Sequence, residues 1–311
     1  MNNWIHHLVI VLVLIAPLSL FAEEKYETFL RRILNIREDK IDICELSFEL
    51  AKDANPALKK EKYLRRLDDM AEKIKFMSMN STMPHNRVNA LVSYVHEISE
   101  TKFSKDDPYD KTNAVRFLYQ SLDSNVGTFK TMPTLYICLA QKLSWPIYYT
   151  KLPGHVFLKY HAPPYRDTNI ELTSPVSYSD EKYINEFTVP PKTIEAGVYM
   201  RPQAHREYLG ELLAELGAYW FSKGELMQGM RYMETARELS PSSVTIVEAL
   251  GDLYKLYFNI SQGDPSKYQK EVVAPEYLKR SKYYHGIGEQ LKNGIIPKEL
   301  QKRAIASEKL M

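Results

Sequence analysis

The chain has 311 residues, of which 44% are hydrophobic and 26% charged, values that exclude a wholly disordered protein and leave room for two domains. The formal net charge of +2 is too small for a nucleic-acid binder, and no basic run or aromatic-basic interleaving points to one. Two cysteines outside any C-x-x-C pair, and eight histidines without ligand spacing, argue against a metal centre; no metal or cofactor is expected.

The first predicted element is a targeting segment. His7 to Ala22 is apolar, broken by Pro17, and ends on small Ala22, so residues 1–22 read as a signal peptide. The run is short for a spanning helix, which needs about 20 residues. An uncleaved N-terminal anchor is the alternative. Either way the mature chain is expected outside the cytoplasm, with no membrane span after signal cleavage.

Residues 25–122 read as helical. Tyr26, Phe29, Leu30, Ile33 and Leu34 make one amphipathic stripe, and Ile41, Cys44, Phe48 and Ala51 another. Asn55-Pro56 reads as a cap and first-turn proline that open a helix with the stripe Tyr63, Leu64, Leu67, Met70, Ala71 and Ile74. Val88, Leu91, Val92, Val95 and Ile98 resume the period. His96-Glu97-Ile98-Ser99-Glu100 lacks the second His of a zinc-protease helix. Phe103 to Asp110 reads as a polar break.

The central stretch, 127–175, carries the chemistry. Leu135, Cys138, Leu139 and Leu143 recur at helical spacing from Pro133 to Leu143, with Thr131 as a cap, and Ser144-Trp145-Pro146 ends the helix. Ile147 to Lys151 and Val156 to Tyr160 form a predicted hairpin across Pro153-Gly154, and Thr168 to Thr173 a third strand. His155 lies on the second strand and Glu171 on the third. Cys44 and Cys138 could bond in an oxidising compartment, or stay free and buried on their apolar stripes.

Gly127-Thr128-Phe129, Leu135-Tyr136, Leu139-Ala140, Pro153-Gly154-His155-Val156-Phe157 and Asn169-Ile170-Glu171 follow an order and spacing that resembles the transglutaminase-like superfamily, in particular its bacterial SirB-type subgroup. A looser likeness runs from Ile41-Asp42-Ile43 to Tyr63-Leu64-Arg65-Arg66-Leu67-Asp68. The resemblance implies an α+β core, a helical N-terminal half packed with a small antiparallel sheet. It assigns His155 the family's base and Glu171 its orienting acid. Phe129 stands where active members have a cysteine, and a ring cannot supply the thiolate that a helix N-terminus and a neighbouring His would activate. Cys138, nine residues on, lies roughly 13 Å along the helix. Thr128 and Thr131 are nearer but offer only hydroxyls, which need a stronger base.

After a linker-like stretch, Ser174 to Pro191, a second helical block begins. Leu216-Gly217, Trp220, Gly224, Gly229, Met233, Ala236 and Pro241 fit one tetratricopeptide repeat, and Leu250-Gly251 with Tyr254 recur 34 residues later. So few copies must rest on the first domain or on a partner. The expected organisation is thus 1–22 signal, 23–190 SirB-type transglutaminase-like domain and 191–311 an all-α tetratricopeptide-like domain. The expected function is a periplasmic pseudoenzyme that binds a peptide or cell-envelope protein through its helices. The alternative is an amide hydrolase or acyl transferase that uses His155 and Glu171 with a non-cysteine nucleophile. A regulatory role rests on the subgroup's name alone.

Overall fold

A computed structural model describes residues 27–263 and 270–301. The predicted signal segment or anchor, 1–22, lies outside the described residues, as do most of the Gly263-Asp264-Pro265 break and the tail beyond residue 301. Chain contacts divide the molecule into a unit ending at Lys40 and a second running from Ile41 onwards. In the first, α1 covers residues 27–35 and a single 3₁₀ turn covers Glu38–Lys40.

The second unit is an α+β arrangement. Its helices before the sheet are α2 (Ile43–Ala54), α3 (Lys60–Met77), α4 (Pro84–Ser93), which continues as a π-helical turn over Tyr94–Ile98, α5 (Leu118–Ser124) and α6 (Thr131–Lys142). Every residue of α6 from Thr131 to Ala140 is buried, because α2, α3, α5 and the strand Ile147–Leu152 pack around it. An all-round apolar helix is the signature of a core helix, so the four-residue stripe read from the sequence understated how much of it is covered.

Two short parallel strands, β1 (Lys102–Phe103) and β2 (Val126–Gly127), pair Phe103 with Gly127. The main sheet is β3 (Ile147–Leu152), β4 (His155–Tyr160) and β5 (Thr168–Ile170), antiparallel in that order. Leu152 faces His155 across the hairpin, and Lys159 faces Asn169. The free edge of β3 is closed by the backbone: Met200 N–H donates to Lys151 O at 3.1 Å and Gln203 N–H to Tyr149 O at 2.8 Å. An edge paired in this way no longer offers a template to another strand.

The remaining helices are α7 (Asp180–Glu186), α8 (Pro191–Glu195), α9 (His205–Ser222), α10 (Leu226–Leu239), α11 (Val244–Gly263) and α12 (Lys270–Lys292). They pair as two hairpins, α9 with α10 and α11 with α12, and α9 also packs on α2. One carboxylate oxygen ties this block down: Asp53 Oδ2 accepts from Trp220 Nε1 at 2.7 Å, Tyr232 Oη at 2.8 Å and Gln228 Nε2 at 3.1 Å. Among the described residues no helix is long and apolar enough to cross a membrane.

Four local expectations are corrected. Asn55 is the C-cap of α2, its N–H bonded to Ala51 O, and α3 starts only at Lys60, because Pro56 sits in the intervening turn. Thr131 lies within α6 rather than capping it. The stretch read as a polar break carries β1, and the stretch read as linker carries α7.

Candidate active site

Position 129 is fixed by its neighbours on both sides. A Cβ on Gly127 would overlap the end of the buried Met132 side chain, so a larger residue here would require that side chain in the first turn of α6 to shift. Phe129 N–H donates to Pro108 O at 2.9 Å. The residue thus sits in the turn immediately before α6, the place where a helix N-terminus would act on a side chain.

His155 opens β4 directly after Gly154, whose φ of +70° makes the turn. Its ring lies between aromatic neighbours. Phe129 meets it edge-on, centroids 5.2 Å apart and planes at 86°, while Phe187 stacks on it at 4.5 Å and 10°. The side chain is 8% exposed. His155 Nε2 lies 3.0 Å from Glu171 Oε2.

Glu171 follows β5 by one residue instead of lying on a strand, and its first oxygen caps the turn that ends the strand. Oε1 accepts from Thr173 Oγ1 at 2.7 Å, Thr173 N–H at 2.9 Å and Leu172 N–H at 3.0 Å. Oε2 takes a further hydrogen bond from Tyr183 Oη at 2.8 Å. Burial opposes the negative charge, but the bonds from His155 and Thr173 outweigh it and hold the carboxyl at about 2. Glu171 is therefore ionised across the physiological range. With a carboxylate facing Nε2, a proton on that nitrogen donates to Glu171 Oε2, and Nδ1 is the nitrogen left for other partners.

The pair is held by residues beyond Phe129, His155 and Glu171 themselves. Tyr183 and Phe187 come from α7 and its C-cap, and α7 is itself anchored by Asp180. Asp180 accepts from Lys159 Nζ at 2.9 Å on both oxygens and from Asn169 Nδ2 at 2.7 Å. On the other flank, Phe103 and Tyr109 pack on Phe129 at 4.8 and 5.1 Å, and Tyr109 Oη donates to Gly154 O at 2.9 Å. The i, i+4 spacing of Tyr183 and Phe187 behind the Ser179-Asp180 cap was the available signal for α7.

The structure therefore brings Phe129, His155 and Glu171 together, and it leaves the other nucleophile candidates elsewhere. Thr128 and Thr131 are each 1% exposed, and their hydroxyls serve the turn: Thr131 Oγ1 accepts from Thr128 N–H at 3.1 Å and Thr128 Oγ1 from Lys130 N–H at 3.3 Å. Cys138 and Cys44 are free and buried. Among the described residues, no cluster of three or more His, Cys, Asp or Glu side chains could hold a metal ion.

The model of the transglutaminase-like superfamily matches residues 61–188 of the chain. That span contains Phe129, His155, Glu171 and the α7 residues that clamp them, so a transglutaminase-like domain is present here. No curated protein and no solved structure matches the chain.

Proposed function

We propose that the chain is an exported bacterial pseudoenzyme of the SirB type: its transglutaminase-like domain has lost the nucleophilic cysteine, with Phe129 in its place, and it binds a peptide or cell-envelope protein. The carrying observation is the Phe129 ring set edge-on to His155, backed by Phe103 and Tyr109. Acyl transfer needs a nucleophile at that position, and a hydrocarbon ring both lacks one and fills the approach to the imidazole. Helices α9 to α12 supply the tetratricopeptide-like surface, and the pattern Leu216-Gly217 to Leu250-Gly251 supports that reading.

The preserved, ionised Glu171 beside His155 favours one other reading, a hydrolase in which His155 activates water. Turnover of a panel of peptide amides, γ-glutamyl amides and aryl esters separates the two. The pseudoenzyme reading expects no hydrolysis or transfer above that of the His155→Ala variant. Turnover by the natural chain that disappears in His155→Ala would overturn it in favour of the hydrolase.

A further inference from the structure

Phe129 borders a second space. A cavity of about 190 Å³ is lined by Phe129 before α6, Tyr149 on β3, Tyr208 and Ala218 on α9, and Ile246 and Ala249 on α11. His155 is not among its walls. The cavity therefore lies where the transglutaminase-like domain meets the C-terminal helices, and the residue in the nucleophile position is part of its boundary.

Its charges decide what it can take. Glu211 Oε1 already accepts from Lys151 Nζ at 2.9 Å, and Glu215 Oε2 from Lys130 Nζ at 3.1 Å and Arg116 Nη1 at 3.4 Å. Arg116 Nε in turn lies 3.9 Å from Asp110 Oδ2. Three carboxylates and three cations are thus matched to one another. A cationic ligand would have to displace an internal ammonium, and an anionic ligand an internal carboxylate, each at the cost of breaking a partly desolvated pair. An uncharged group meets no such penalty.

Size and shape narrow the class further. A dry cavity of about 150 Å³ is enough to hold benzene, so this one accommodates an aromatic ring or a branched aliphatic chain. Tyr149 and Tyr208, with centroids 4.7 Å apart and planes at 40°, form an aromatic wall against which a ring can pack.

We infer that this cavity is a side-chain pocket for an uncharged aromatic or branched aliphatic residue of a bound peptide, built jointly by the transglutaminase-like domain and the C-terminal helices. That the occupant belongs to a peptide rests on the binding-module reading above; the charge and size of the occupant rest on the cavity alone.

The probes are N-acetyl-phenylalaninamide, N-acetyl-leucinamide, N-acetyl-lysinamide and N-acetyl-glutamate amide, titrated into the full-length chain up to about 20 mM and followed by NMR. The phenylalanine and leucine amides should bind and shift resonances of Tyr149, Tyr208 and Ala249, while the two charged amides should not. Ala249→Leu and, from a different helix, Ala218→Leu fill the space and should weaken binding about tenfold or more, with circular dichroism confirming that each variant is folded. No binding of the apolar amides, shifts confined to other regions, undiminished binding in a folded cavity-filling variant, or preference for a charged amide would each overturn the inference. If neither variant folds, the shift map of the natural chain decides. Failure here leaves the reading of Phe129 standing, whereas His155-dependent turnover would remove that reading and leave the pocket intact.

Discussion

Replacing Glu171 with Gln tests the electrostatics of the site quantitatively. The Glu171 carboxyl is held at about 2 against an ordinary 4.5, a difference that contributes about 3 kcal/mol to folding at neutral pH. Because the folded value is the lower one, this stability is fully present above pH 4.5 and is lost as the pH falls toward 2. The unfolded chain takes up its proton first, and about 2 kcal/mol of the contribution is gone by pH 3. Urea unfolding of the natural chain and Glu171→Gln at pH 7 and pH 3 reads this directly. The stability difference between the two should shrink by about 2 kcal/mol between these pH values, since the other carboxylates titrate alike in both and cancel. A difference that stays constant with pH would refute the claim that a buried, ionised Glu171 is stabilised by His155, Thr173 and Tyr183.

Three further outcomes follow from the contacts. Tyr183→Phe removes the 2.8 Å bond to Glu171 Oε2 and should cost about 1.5 kcal/mol in urea unfolding, as for other hydrogen bonds to charged groups, while moving the acid limb of stability to higher pH. Asp53→Ala withdraws the shared acceptor of Trp220, Tyr232 and Gln228; a loss of about 3 kcal/mol is expected, and a loss below about 1 kcal/mol would show that this carboxylate does not secure α9 and α10 on α2. Burial, and then the neighbouring Cys44, push the Cys138 thiol up, so a thiol reagent should leave the native chain unlabelled and count both cysteines after unfolding without reductant; finding none then would reveal a disulfide.

The parts of the fold that were legible share a physical cause. Helix α6 and the β3–β4 hairpin were readable because apolar periodicity, β-branched runs and Pro153-Gly154 are local signals, and the observed β3 and β4 extend the predicted strands only to Leu152 and His155. The meeting of His155 and Glu171 was readable through the family resemblance, since nothing local to either residue specifies the other. What surrounds them was not. β1 and β2 are two residues each, too short for any period to show, yet they bring Phe103 onto Phe129. Tyr183 and Phe187 lay in a stretch whose Pro, Ser and Asp content masked a seven-residue helix. Nothing local to Asp53 at the end of α2 marks it, because its three donors lie more than 160 residues away.

The central claim is that Phe129 occupies the place of a nucleophile within a frame that is otherwise intact. Phe129→Cys puts it to the test through the pH dependence of alkylation by iodoacetamide. With the helix N-terminus before it and His155 beside it, the introduced thiol should ionise well below the ordinary cysteine value of about 8.5, and His155→Ala in the same background should return it to that value. A thiol that alkylates as an ordinary cysteine whether or not His155 is present would contradict the account.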